Sequence, residues 1–142
     1  MIDSKIKQYN IMLVDDDFST SRFHQIVLER LPTTKNIIFS RNGKEALDYL
    51  LRQDEFEDKT KEFIQPDLIL IDLNMPVMNG FRFIELYTET KEFKINKPKI
   101  VVLSTSLISE EKEKIESNED IDMFLNKPLT KEMVTNLMTT IW

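Results

Sequence analysis

The sequence predicts an α/β fold, a five-stranded parallel sheet with helices on both faces in (βα)5 doubly wound order. Three observations carry that prediction. Short apolar runs and amphipathic stretches alternate five times along the chain. The first, third and fourth runs are nearly all apolar rather than alternating, the pattern of parallel strands covered on both faces. Turn residues punctuate the joins: Pro32, Asn42-Gly43, MPVMNG at 75–80 and Pro128.

The elements follow in order. Ile11 to Val14 is long enough for a buried strand. Ser19 or Thr20 is the expected cap of the next helix. There Phe23, Ile26, Val27 and Leu31 recur at three- and four-residue spacing as one apolar face, and Pro32 ends it. The single histidine, His24, lies beside that face and reads as a surface or boundary residue. Ile37–Phe39 is the second strand. After the Asn42-Gly43 turn, Ala46, Leu47, Leu50 and Leu51 mark the second helix. RQDEFEDKTKEFIQ at 52–65 reads as a helix end and a solvated loop. PDLILID at 66–72 is the third strand, closed by an aspartate. Phe81, Ile84 and Tyr87 or Thr88 mark the third helix. KIVVLSTS at 99–106 is the fourth strand, and polar 109–119 the fourth helix. Ile121–Leu125 is the fifth strand, ending at Asn126-Lys127-Pro128. Leu129, Met133, Leu137 and Ile141 sit four apart on a closing helix.

The 142 residues suit one domain with one core, about 9–142. Apolar content is 41 %, ordinary for a globular protein. A formal net charge of -6 disfavours direct nucleic-acid binding. With no cysteine there is no disulfide and no thiolate metal site. No run is long enough to span a bilayer, and MIDSKIKQYN has no apolar signal core, so no membrane partner and a cytoplasmic location are expected.

In open α/β sheets, sites form at the carboxyl ends of the strands. The first strand ends in Asp15-Asp16-Asp17, the third in Asp72, the fourth in Ser104-Thr105-Ser106 and the fifth in Lys127. With those four strands near the sheet centre, the groups converge. Close like charges cost on the order of 4 kcal/mol at an effective dielectric of about 20, so such a pocket calls for a cation. Oxygen ligands without His or Cys favour Mg2+. A lysine suits a carboxylate or phosphoryl oxygen, and an aspartate can be the covalent nucleophile that becomes an aspartyl phosphate. No Gly-rich phosphate loop supports nucleotide binding. Each residue alone also has a plainer role: aspartates after strands cap helices, and a lone serine or Lys-Pro is usually structural.

The motifs together resemble the receiver domains of two-component response regulators, with their chemotaxis-regulator-like, flavodoxin-like fold, over essentially all of 1–142. LVDDD resembles the acidic pair after the first strand. LILIDLNMPVMNG resembles the phosphoacceptor segment, with Asp72 at the phosphorylated position. Ser104 falls at the conserved hydroxyl, Lys127-Pro128 at the Lys-Pro (commonly cis), and Phe124 at the aromatic switch.

The resemblance implies that a histidine kinase or histidine phosphotransfer protein supplies a phosphohistidine. Asp72 attacks it with Mg2+, Mn2+ being a substitute, held by Asp16, Asp72 and the backbone carbonyl of Asn74, and by Asp15 through water. Lys127 pairs with Asp72 and then with a phosphoryl oxygen. Ser104 swings in to another such oxygen, and Phe124 turns inward. That reshapes the face of the fourth helix, fifth strand and fifth helix for a downstream protein. A phosphorylation-dependent homodimer is the second association compatible with this. Asn74, Thr105, Ser106, Asn79 and, through a weaker electrostatic role, Asp17 are candidate tuning positions. Thr105 stands where the family often has a small side chain, and would slow transfer from small phosphodonors. The charged 54–63 segment is a loop insertion, read as solvated.

Two rival readings use the same residues. One is a pseudo-receiver, a binding module never phosphorylated, which the complete set Asp15, Asp16, Asp72, Ser104 and Lys127 disfavours. The other is a small Mg2+-dependent aspartyl-phosphate phosphatase of the haloacid dehalogenase kind. Asp15 and Asp17 have its spacing, but the chain has no room for a cap domain. The triple aspartate also poses a register question. Counting from the strand selects Asp15 and Asp16; counting back from the helix selects Asp16 and Asp17. A buried strand fixes direction more firmly, so Asp15 and Asp16 are taken as the pair, with Asp17 a loop or cap residue.

Overall fold

The computed structural model describes residues 6–52, 62–105 and 107–142. Ser106 and most of the 54–63 insertion lie outside the described residues. Eleven elements follow one another: β1 (Tyr9–Val14), α1 (Phe18–Glu29), β2 (Thr34–Ser40), α2 (Gly43–Leu51), β3 (Leu68–Asp72), α3 (Gly80–Thr88), α4 (Lys91–Asn96), β4 (Lys99–Ser104), α5 (Ser109–Ser117), β5 (Met123–Asn126) and α6 (Lys131–Ile141). The strands form one parallel sheet in the order β2-β1-β3-β4-β5.

The apolar strands divide their side chains between two layers, because successive residues point to opposite faces. Met12, Val14, Ile69, Ile71, Ile100 and Val102 pack under α2, α3, α4 and α5, with Ala46, Leu50, Phe83, Tyr87 and Phe93. Ile11, Leu13, Leu68, Leu70, Val101 and Leu103 pack under α1 and α6, with Leu28, Val134 and Leu137. Each such fully buried side chain stabilises the fold by roughly 1.5–3 kcal/mol. Helices therefore cover both faces, as the continuous apolar runs require.

The structure corrects the sequence reading in five places. Asp17, not Ser19 or Thr20, caps α1: its side chain accepts from the Thr20 N–H. The buried stripe of α1 contains His24 and Leu28, whereas Phe23 is exposed. His24 is thus a core residue rather than a surface one. An additional short helix, α4, follows α3; with Phe93 as its one buried side chain it has no apolar stripe to read. Asn42 is a helix cap, accepting from the Glu45 N–H. Finally β5 is an edge strand, so Lys127 lies farther from the sheet centre than expected. No described helix is long and apolar enough to cross a membrane.

Candidate functional site

The parallel register sets the site. Val14 pairs with Ile71, so the residues that follow, Asp15 and Asp72, emerge side by side on adjacent central strands. Asp15 is 6 % exposed and Asp72 7 %, while Asp16 is open to solvent. One ligand oxygen from each of Asp15, Asp16 and Asp72 lies within 4.8 Å of the others.

Lys127 closes the group from the edge of the sheet. Its backbone N–H donates to the Ser104 carbonyl at 2.9 Å, across the β4–β5 ladder. Its Nζ reaches Asp15 Oδ2 at 2.7 Å and Asp72 Oδ1 at 3.1 Å. The stem of a lysine is long enough to span β4, which is why an edge position suffices. The Lys127–Pro128 peptide bond is cis.

Burial is the largest influence on Asp72 and raises its pKa above the ordinary 3.8; Lys127 opposes and Asp15 adds to the rise. Burial works against the Lys127 charge too, but the two carboxylates outweigh it and hold its pKa above the usual value. Three carboxylates against one ammonium leave an excess of negative charge in a partly dry pocket. The donor set is all oxygen, and it fits a hard divalent cation.

Each aspartate of the run has a different environment. Asp15 Oδ1 accepts from the Asp17 N–H at 2.9 Å while Oδ2 holds Lys127, so both oxygens are engaged. Asp16 is exposed beside them. Asp17 caps α1, and the Thr20 N–H chiefly holds its pKa below the usual range. Asp17 is not in the carboxylate cluster.

The loop after Asp72 is held by the chain's two glycines. A Cβ on Gly80 would lie 2.6 Å from the Asp72 carbonyl oxygen, so only glycine fits. A Cβ on Gly43 would lie 2.9 Å from the Met78 carbonyl oxygen, to which the Gly43 N–H donates at 3.2 Å. Between them Val77 has φ 66°, spanned by a Met78 N–H to Pro76 carbonyl bond of 2.7 Å, a tight γ-turn that a β-branched residue adopts only under strain. Asn79 caps α3 through the Arg82 N–H. The Asn74 backbone N–H opposes the rise in the Asp72 pKa.

Ser104 is the buried last residue of β4, and Thr105 next to it is exposed. Phe124 on β5 is half-buried against the α2–α5 layer. The structure thus gathers Asp15, Asp16, Asp72 and Lys127, with Ser104 at the neighbouring strand end. Asp17 and Asn79 serve as caps. A cleft of about 450 Å³ opens beside Asp15 and Asp16, lined by Phe18, Arg22, Phe39 and Arg41. Sequence reasoning missed the close approach of both glycines and the burial of His24. The signal for His24 was its spacing: His24, Leu28 and Leu31 fall at i, i+4 and i+7 of one helical stripe.

The response regulator receiver domain family matches residues 11–139. The chain belongs to that family. Response regulator Rcp1 of Synechocystis is 33 % identical over 96 residues, 68 % of this chain and 61 % of Rcp1. This receiver domain therefore aligns with somewhat under two thirds of that relative's length. Among solved structures, a two-component response regulator from Cytophaga hutchinsonii superposes with a TM-score of 0.77 at 26 % identity, covering 94 % of this chain and 96 % of that one. The Mn2+-bound form of Rcp1 superposes with a TM-score of 0.72 at 28 % identity, covering 92 % and 90 %. The receiver fold and its place in two-component signalling follow.

Proposed function

We propose that this receiver domain is a phosphoacceptor switch in which Asp72 takes a phosphoryl group from a phosphohistidine. The observation that carries the reading is Lys127 bridging Asp15 and Asp72 inside the three-carboxylate cluster. An Asp72 oxygen attacks phosphorus, the P–N bond breaks, and its electron pair stays on the departing imidazole nitrogen, which takes up a proton. The nucleophile is already ionised, so no general base is needed. Lys127 steadies the carboxylate before transfer and a phosphoryl oxygen after it. Asp16, Asp72 and the Asn74 carbonyl would hold Mg2+, or Mn2+ in its place, and Asp15 would assist through water. When bound the ion neutralises charge on the phosphoryl oxygens. The engagement of both Asp15 oxygens favours that indirect role.

Ser104, at the end of β4, hydrogen-bonds the new phosphoryl group. Its movement would free space toward Phe124, and the face of α5, β5 and α6 would present a second arrangement to a downstream protein. A histidine kinase or a histidine phosphotransfer protein is the donor. Asn74, Thr105 and Asn79, with Ser106 next to Thr105 in the sequence, tune the access and lifetime of the phosphoryl group. Replacing Thr105 with alanine speeds transfer from acetyl phosphate, and an unchanged rate removes that role.

The direct test incubates the protein with Mg2+ and acetyl phosphate or phosphoramidate and reads its intact mass. The expected result is one added phosphoryl group, lost in Asp72→Asn. No adduct from either donor, together with no transfer from any phosphohistidine protein of the same cell, favours a binding module that is never phosphorylated.

A further inference from the structure

His24 has no part in the chemistry above, yet it is the chain's single histidine and is 1 % exposed. It stands on α1, the helix that follows the acidic turn. Its Nε2 accepts from the backbone N–H of Leu129 at 3.1 Å. An imidazole that accepts at Nε2 is neutral and carries its proton on Nδ1. The turn Lys127–Pro128–Leu129 has two backbone donors, because proline has none. The Lys127 N–H is tied to the Ser104 carbonyl and the Leu129 N–H to His24. One anchor is the end of β4 and the other is α1.

We propose that His24 is a positioning residue for phosphoryl acceptance: as the buried acceptor for Leu129, it clamps the turn that carries Lys127 and so delivers the ammonium between Asp15 and Asp72. The inference rests on the phosphoacceptor reading. A protonated His24 would turn a donor toward the Leu129 donor, and the clamp would open. The charged groups that face it are Lys127 from the β5–α6 turn and Asp15 from the end of β1. Burial, then the Lys127 charge, hold the imidazole below its usual pKa, with Asp15 opposing. The neutral form is therefore the one the fold selects.

The test uses the full chain, acetyl phosphate and saturating Mg2+, and reads the rate of phosphoryl incorporation by intact mass. His24→Leu should slow incorporation roughly tenfold, the scale set by one unmatched buried donor. Added to Lys127→Ala, it should slow the reaction no further, since residues acting through one another are not additive. The same tenfold loss in both backgrounds would overturn the proposal. His24→Gln places an uncharged acceptor near the Nε2 position and should restore most of the rate. The ratio of wild-type rate to His24→Gln rate should then fall on acidification, while effects common to both, those of Asp72 and the cation included, cancel. A His24→Gln rate tenfold below wild type would equally overturn it, even if His24→Leu does not fold. A wild type that takes no phosphoryl group sinks the phosphoacceptor reading and this inference with it. A wild type that is modified but shows additive variants sinks the inference alone.

Discussion

β3 carries an aspartate at each end, Asp67 just before its first residue and Asp72 as its last. At the amino end, Asp67 Oδ2 accepts from the Asn10 N–H at 2.8 Å, and its own N–H returns a bond to the Asn10 carbonyl at 2.8 Å. Asp122, before β5, repeats the pattern on Ile100, with both bonds at 2.8 Å. Each of these carboxylates is matched to a backbone amide of the neighbouring strand and stands away from the acidic cluster. At the carboxyl end, three carboxylates cluster and one ammonium pairs with two of them, Asp15 and Asp72. The same residue type beside the same apolar strand thus pins strand starts at one end and leaves unbalanced negative charge at the other. Only the second arrangement calls for a cation or a phosphoryl group.

The comparison breaks most severely at Lys127. Lys127→Ala leaves partly buried carboxylates uncompensated and should destabilise the metal-free protein by about 3 kcal/mol. Saturating Mg2+ should recover much of that loss in chemical denaturation, and a loss insensitive to Mg2+ would show that the lysine is not the charge partner of this end.

Asp72 sharpens the same contrast through pH. Its folded-state pKa is raised, so its contribution to stability is fully present below the ordinary 3.8 and is lost as pH rises through the folded value. Asp72→Asn does not titrate. In chelator it should therefore melt above wild type at neutral pH, with the gap closing on acidification. A gap constant with pH contradicts the crowding of this end.

Asp67→Ala should do the reverse. It removes a charged hydrogen bond worth about 1–2 kcal/mol, visible in denaturant unfolding, while phosphoryl incorporation per folded molecule stays at the wild-type rate. A slowed transfer would mean that the two ends are coupled.

The smallest effect belongs to Asp17, which adjoins the cluster in sequence but behaves as the amino-end aspartates do. Asp17→Ala should lower the thermal midpoint modestly through loss of the α1 cap and leave Mg2+ affinity unchanged. Isothermal titration gives the answer: if Asp17→Ala abolished Mg2+ binding while Asp15→Ala kept it, the register chosen along the acidic run would be wrong.

Much of this was legible in the sequence, because strands covered on both faces need continuous apolar residues and the chain can end such a strand only with a polar one. LVDDD, LILID and KIVVLS announce both the sheet and its charged rim. What escaped was set by contacts between distant segments. His24 shares a helical stripe with Leu28 and Leu31, but only the packing of α1 against the turn after β5 makes it a buried acceptor. The strand register already set Asp17 apart as a loop or cap residue; that Asp15 turns its two oxygens toward the Asp17 amide and Lys127 came only with the fold.

The sequence by itself determined the element types, the parallel two-faced sheet and the residue types at the strand ends, since periodicity and local turn chemistry act over a few residues. The tertiary structure alone decided that Asp15 and Asp72 share Lys127, which lies 112 positions from Asp15, and that Asp67 and Asp122 pin strand starts. Burial and charge pairing depend on what lies across the strand ends, and that is set by the order β2-β1-β3-β4-β5 rather than by any single stretch of chain.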